Sequence, residues 1–350
     1  MRILIVHHLF APDFAGGGEY VVLEIARGLY RRGADVSVIT TGDPSQSVYD
    51  GIRVKRLPVS PYRFNVAIGP ILAESKQADI IQTFNYHACF PSFLAGKLTG
   101  KPVICEMLGL FGREWLRMRG GIAGRIYMHW ERFLVRLPFY RTVFLSDFSQ
   151  EMGLEAGADP KRSVVIVPGI SAENYYALDK KDKVLFVGKL DVRKGINDVM
   201  AVVRALPDIS FEIVGWGEDF ARMQAQAPAN ASIVELKQGR ALYEAFARAR
   251  IFLFPSRAET FGLAVAEAMA SGCAIVSSVP LEFAGVRVSP GDQPAMIEAI
   301  RRLWQDPALT DKMGKENRHL AVAYNWDKHV DGLWQIYVGA LGAAVPGKDV

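Results

Sequence analysis

Phe252-Leu253-Phe254-Pro255-Ser256-Arg257-Ala258-Glu259-Thr260-Phe261-Gly262-Leu263-Ala264-Val265-Ala266-Glu267-Ala268-Met269-Ala270-Ser271-Gly272 begins as an apolar run, stops at a proline, crosses a polar loop and restarts in helix-forming Ala, Glu, Leu and Met. That order predicts a buried strand, a loop and a helix. One carboxylate, Glu259, lies in the loop, and a second, Glu267, follows eight positions on, more than a turn into the helix. Gly262 stands where the helix opens, so N–H groups without an intrahelical acceptor face an anion there. Two carboxylates flanking such a helix start suit a ligand with both hydroxyls and phosphates, a nucleotide sugar. An isolated Glu pair at this spacing is ordinarily a cap and a surface charge, so the weight falls on the whole string.

Similar patterns recur on either side. Ile3 to Val6, Val36 to Thr40, Ile52 to Leu57, Asp79 to Thr83, Pro102 to Cys105, Arg141 to Leu145 and Val164 to Val167 read as strands. Helical patterns run from Glu19 to Arg32 and from Pro91 to Leu98. The rhythm restarts at Lys183 to Gly188 and continues through a helix near Gly195 to Leu206, a strand Phe211 to Gly215, a helix near Ala241 to Ala249 and a strand Ala274 to Ser277. Alternating strands and helices imply parallel sheets covered on both faces. The polar stretch Gly169 to Asp182 reads as a linker. The expected layout is therefore an α/β chain with one domain over 1–170, a second over 171–325, and a tail over 326–350 with Trp326, Val330, Leu333, Ile336 and Tyr337 at helical spacing. Open sheets bind ligands at the carboxyl ends of their strands.

At 350 residues the chain is long for one core. A net charge of +4 gives no reason to expect nucleic acid as partner. Cys89, Cys105 and Cys273 are widely spaced, form no metal or redox pattern and suit a reducing compartment. The opening run Met1 to Val6 is followed at once by His7 and His8, too short for a signal peptide or a membrane span. A cytoplasmic protein is expected, with peripheral contact to a membrane as an option.

A second constellation is Phe186-Val187-Gly188-Lys189-Leu190-Asp191-Val192-Arg193-Lys194-Gly195. A strand ends at Gly188, the cations Lys189, Arg193 and Lys194 follow, and Gly195 opens a helix. Fixed positive charge near a helix start is what a diphosphate requires. Ile213-Val214-Gly215-Trp216-Gly217-Glu218 places glycines after a strand, where backbone can approach a ligand closely. In the first half, Gly16-Gly17-Gly18-Glu19 follows the first strand and precedes a helix, a loop of the same kind.

Together these strings resemble the retaining glycosyltransferases of the family-4 type, the group 1 glycosyl transferases. The quoted stretch matches their E-x7-E signature, and the second constellation their Val-Gly-Arg-Leu-x-x-x-Lys-Gly segment, with Lys189 where the family has Arg. The resemblance implies a GT-B fold: two facing Rossmann-like domains with parallel sheets, and a C-terminal helix crossing back to the first domain. It further implies that Glu267 binds the ribose hydroxyls, that Glu259 binds the donor sugar, and that Lys189 and Lys194 bind the pyrophosphate beside Arg193. Phe261, Gly262 and Leu263 would offer backbone N–H groups to the phosphates. Gly17, Gly18, Gly188, Gly215 and Gly217 would line the donor, and Leu236 to Arg240 occupy the base-contacting loop. The implied activity is transfer of a sugar from a UDP or GDP type donor to a hydroxyl acceptor with retention, in envelope polysaccharide or glycolipid synthesis. No cofactor and no metal are implied: an Asp-x-Asp cluster is missing, and cations would neutralise the leaving diphosphate.

Family members carry a His near the reacting sugar, and alignment puts Leu108 there. Glu106, on the same strand face, and His87 are the candidates to replace it, and Glu106 joins Glu259, Lys189 and Lys194 as a catalytic candidate. The segment Arg113 to Arg141 interleaves Arg113, Arg117, Arg119, Arg125, Arg132 and Arg136 with Trp115, Ile126, Tyr127, Trp130 and Phe133. It suits an anionic membrane surface on an amphipathic helix, with Arg113, Arg117, Arg119 and Arg125 at a lipid-linked acceptor, or else a solvated helix with its aromatic stripe inward. Rival readings are a nucleotide-sugar epimerase or hydrolase on the same fold, and a non-catalytic nucleotide-sugar binding protein.

Overall fold

The computed structural model describes residues 1–14, 16–217, 219–235 and 239–342. Two compact units result: Met1–Gly169 with the C-terminal helix Trp326–Ala340, and Ile170–Asn325. In both, the apolar runs become central strands. Ile3, Leu4, Ile5 and Val6 are buried on both faces, as are all residues of Ala249–Phe254, which is the burial that helices on both sides of a parallel sheet impose.

The first unit holds eight strands in the order Val48–Tyr49, Ile52–Leu57, Asp35–Thr41, Arg2–Val6, Ile80–Phe84, Val103–Met107, Arg141–Phe144 and Ser163–Val165. Pairing is parallel except at the Val48–Tyr49 edge. Chain order reverses at Arg2–Val6, which pairs with Asp35–Thr41 on one side and Ile80–Phe84 on the other. The carboxyl end of that strand is thus the switch point, the place where such sheets take ligands. The second unit is a six-stranded parallel sheet, Ala231–Glu235, Phe211–Trp216, Lys181–Lys189, Ala249–Phe254, Ala274–Ser277 and Gly285–Arg287. Its reversal lies at Lys181–Lys189, between Phe211–Trp216 and Ala249–Phe254.

The C-terminal helix packs on helix Gly17–Arg31 of the first unit. Gly28 makes the close approach possible: a Cβ there would lie 2.5 Å from Val330 Cγ2. Arg32 pairs with Asp331, and the Tyr337 hydroxyl donates to Gln82 Oε1 at 2.9 Å. His329 Nδ1 lies 3.1 Å from the Val167 carbonyl, and its Nε2 lies 3.4 Å from Glu106 Oε1. Glu106 Oε2 accepts from Gln82 Nε2 at 3.3 Å. These contacts correct the expectation for Glu106. With an exposure of 0 %, its Oε2 held by Gln82 and its Oε1 facing His329 without a hydrogen bond, it lies sealed between the sheet and the C-terminal helix of its own unit.

The basic segment is also differently built than expected. Gly120, at φ +75°, breaks it into helices Glu114–Arg119 and Gly121–Val135. The two helices touch at Gly124, whose missing Cβ would sit 2.5 Å from the Trp115 carbonyl oxygen. Among the described residues no helix is long and apolar enough to cross a membrane.

Candidate active site

Two loops follow neighbouring strands of the second sheet and are stitched together. After Lys181–Lys189, Asp191 Oδ1 accepts the Lys194 N–H at 3.2 Å and caps the turn Val192–Lys194, while Asp191 Oδ2 holds the Arg193 guanidinium at 2.6 Å. Gly195 then turns at φ +72° into helix Ile196–Ala205. Only glycine fits there, because a Cβ would lie 2.3 Å from the Pro255 carbonyl oxygen. From the other loop, the Arg257 N–H donates to the Arg193 carbonyl at 2.7 Å. Ser256 Oγ lies 3.1 Å from that same carbonyl and 3.2 Å from Glu259 Oε1. Arg257 in turn bonds Asp198 Oδ2 at 2.6 Å, and Gln293 holds Asp198 Oδ1 at 2.9 Å.

Within this frame Lys194 Nζ pairs with Glu259 Oε1, its ammonium 5.5 Å from the Phe254 ring centre. Arg193 is held by Asp191. Lys189, at the end of its strand opposite Trp216, forms no ion pair among the described residues, so its charge is the one available to an incoming anion. Gly215 lets the next loop in: a Cβ would lie 2.5 Å from the Gly188 carbonyl oxygen, and Leu190 N–H donates to Trp216 O at 2.8 Å. Gly217 has φ +134°. Glu218 and Leu236, Lys237 and Gln238 of the expected base-contacting loop lie outside the described residues.

Gly262 opens helix Leu263–Ala270 at φ +100° with no side-chain cap. Its carbonyl accepts the Val265 and Ala266 N–H groups at 2.9 and 3.2 Å. The N–H groups of Phe261, Gly262, Leu263 and Ala264 have no acceptor among the described residues, which leaves the positive end of the helix bare. Phe261 anchors the turn, its ring edge-on to Tyr324 at 5.2 Å. Glu267 is half-buried in the same helix. Burial pushes its pKa up to about 7, against the opposing hydrogen bond from Tyr175. Tyr175 itself is wedged edge-on against Tyr243 and Phe246, at 5.1 and 5.8 Å.

The first unit carries the remaining candidates. Gly17 and Gly18 open helix Gly17–Arg31, and a Cβ on Gly18 would touch Leu108 Cδ1 at 3.4 Å. Leu108 therefore packs on the glycine turn, and its N–H is held by Asn85 Oδ1 at 2.8 Å. Buried Glu131 fixes the following loop by accepting from Tyr86 Oη at 2.6 Å, Phe111 N at 2.9 Å, Gly112 N at 2.8 Å and Trp115 Nε1 at 3.0 Å. His87 is half-buried against His8 and Tyr62, and burial beside His7 lowers its pKa. Arg117 pairs with Glu114 at 2.8 Å, and Arg119 lies 5.4 Å over Tyr127. Arg113 precedes the first of the two helices. Arg125 lines a shallow groove of 590 Å³ with Ile122, Ile126, His129, Trp130 and Phe133. Ile122 and Ile126 are 80 % and 64 % exposed.

Sequence reading missed Asp191 and Ser256, whose task is to hold the cations and Glu259 in place. An Asp three positions before Lys194 is a capping signal that was available.

Two family models match this chain: a glycosyl transferase 4-like domain over residues 16–169, and glycosyl transferases group 1 over residues 181–306. A GDP-mannose-dependent alpha-mannosyltransferase of Mycolicibacterium smegmatis is 28 % identical over 306 residues, 79 % of each chain. Among solved structures, sucrose-phosphate synthase from Thermosynechococcus elongatus superimposes with a TM-score of 0.86 at 18 % identity, covering 98 % of this chain and 100 % of that one. The Anabaena protein HepE in complex with UDP and glucose gives 0.79 at 16 % identity, covering 97 % and 100 %.

Proposed function

This chain belongs to the group 1 glycosyl transferases, built on the GT-B fold, and from that premise we propose that it moves a sugar from a UDP or GDP type donor to a hydroxyl acceptor with retention of configuration. The observation that carries the reading is that the uncapped start of helix Leu263–Ala270, Lys189 and the Lys194–Glu259 pair all follow or end the neighbouring strands Lys181–Lys189 and Ala249–Phe254 at their carboxyl ends. A diphosphate seated on the bare N–H groups takes Lys189 as its counter-charge. Lys194 can then exchange Glu259 for the phosphate, which frees the carboxylate for the sugar hydroxyls. Glu267 receives the ribose hydroxyls.

In this reading the leaving diphosphate is neutralised by Lys189, Lys194 and the helix start, so no metal ion and no cofactor enter the transfer. Glu106 is withdrawn from the role of base. The proton of the acceptor hydroxyl passes to the departing phosphate on the face from which it leaves. The test is incubation with UDP-glucose and GDP-mannose, followed by NMR of the first-formed sugar product. The α anomer from an α-linked donor supports the proposal, and the β anomer overturns it.

The exposed Ile122, Ile126 and Phe133, with Arg125 lining the same groove and Arg117 and Arg119 on the preceding helix, favour a lipid-linked acceptor and a peripheral place on an anionic cytoplasmic membrane face, as envelope polysaccharide or glycolipid synthesis would need. Each Arg near such a surface contributes about 1 kcal/mol. Co-sedimentation with anionic liposomes that salt reverses, and that Arg117→Gln, Arg119→Gln and Arg125→Gln weaken, is expected. Equal partition onto neutral liposomes contradicts it.

A further inference from the structure

We propose that His7, His8 and Glu19 form a site for a zinc-class divalent metal, tying the end of strand Arg2–Val6 to the first turn of helix Gly17–Arg31. Each side chain offers one ligand atom, and the three atoms lie within 4.8 Å of one another. Ligands about 2.1 Å from zinc in a tetrahedral set sit roughly 3.4 Å apart, so a small side-chain rotation closes the set around an ion.

Three further observations point to a ligand. Glu19 is 7 % exposed and takes no hydrogen bond or ion pair from any described residue. Buried charges are ordinarily paired or bound to metal. His7 Nδ1 lies 2.6 Å from the Leu9 carbonyl oxygen. With its proton on that nitrogen, the lone pair is left on Nε2, and the Leu9 carbonyl fixes the ring in the orientation a metal-binding imidazole needs. His8 has a buried Nδ1 without any hydrogen-bond partner.

Two imidazole nitrogens and one carboxylate select zinc, cobalt or nickel over magnesium or calcium. His8 is half-buried, so water can complete the coordination. The ion stabilises the turn that leads into Gly17 and Gly18, and this assignment is independent of the sugar-transfer reading.

The test uses tag-free, full-length protein after dialysis against a chelator. Titration with zinc followed by calorimetry, and with cobalt followed by its visible d–d absorption, should give one equivalent bound, with a rise in Tm and no response to magnesium. His7→Ala and Glu19→Gln should each weaken zinc binding by at least about tenfold, since even outer-sphere changes cost 10–100-fold. Metal-free Glu19→Gln should melt no lower than metal-free wild type, because it removes an unpaired buried charge, yet lose the zinc-induced rise. His129→Ala, at an exposed histidine, should bind as wild type. Absence of stoichiometric binding, or equal affinity in Glu19→Gln and wild type, overturns the assignment, as does loss with His129 instead of His7.

Discussion

Glu267 is held in a position that costs the fold stability at neutral and alkaline pH, and its replacement should show this. Burial raises its pKa from 4.5 to about 7, so the folded chain holds that proton more tightly than the unfolded chain. Stability from this group is fully present below pH 4.5 and is lost as pH rises through 7. At about 1.4 kcal/mol for each tenfold in proton affinity, the ionised folded state bears about 3 kcal/mol. Partial exposure lets water screen the charge, which brings the expected figure to about 2 kcal/mol. Glu267→Gln keeps an acceptor for the Tyr175 hydroxyl and removes the charge. It should therefore be more stable than wild type at pH 8, by about 4–8 °C in Tm, and equal to it near pH 4. The same variant should bind UDP or GDP more weakly, as expected where function is held at the cost of stability. Thermal denaturation across pH, with nucleotide titration at pH 8, measures both effects. A variant less stable than wild type at pH 8 would show that Glu267 is a stabilising residue and that the burial argument is wrong.

Glu259→Ala should leave Lys194 without its carboxylate and lower turnover sharply, while free nucleotide binds as before; nucleotide titration against steady-state rates separates the two, and a parallel loss of nucleotide affinity would count against a sugar-binding role. Gly28→Ala places a methyl group against Val330 and should destabilise the first unit by about 1–3 kcal/mol, seen in denaturant unfolding; an unchanged midpoint would show that the C-terminal helix yields without cost. Sugar transfer should persist after exhaustive chelation, because the diphosphate meets Lys189, Lys194 and helix N–H groups; full loss of turnover that magnesium or manganese restores would contradict that.

Much of this fold was legible because strands buried on both faces read as unbroken apolar runs: Ile3–Val6 and Phe252–Phe254 show no competing pattern. The loops after Lys181–Lys189 and Ala249–Phe254 were legible as turns because glycines at positive φ, such as Gly195 and Gly262, leave a signature that few other residues can. What depends on distant partners was not. Glu106 read as a catalytic candidate on the strand face of Leu108, and nothing local marks its contact with His329, more than two hundred positions away. The break at Gly120 divides a segment that reads as one amphipathic helix, since a single glycine inside a helical pattern is usually tolerated. Strand Ala231–Glu235 and helices Gln293–Gln305 and Pro307–Ala321 went unread. The helices are mixed in polarity and the strand is only partly buried, which weakens the periodic signal.

Calorimetric titration of the full chain with UDP-glucose, GDP-mannose and ADP-glucose is the most direct test that the second unit holds a nucleotide-sugar donor. The account predicts saturable one-to-one binding of at least one of them, reduced at least about tenfold, or 1.4 kcal/mol, in Lys189→Ala. No binding by any of the three, or binding unaffected by Lys189→Ala, would contradict it.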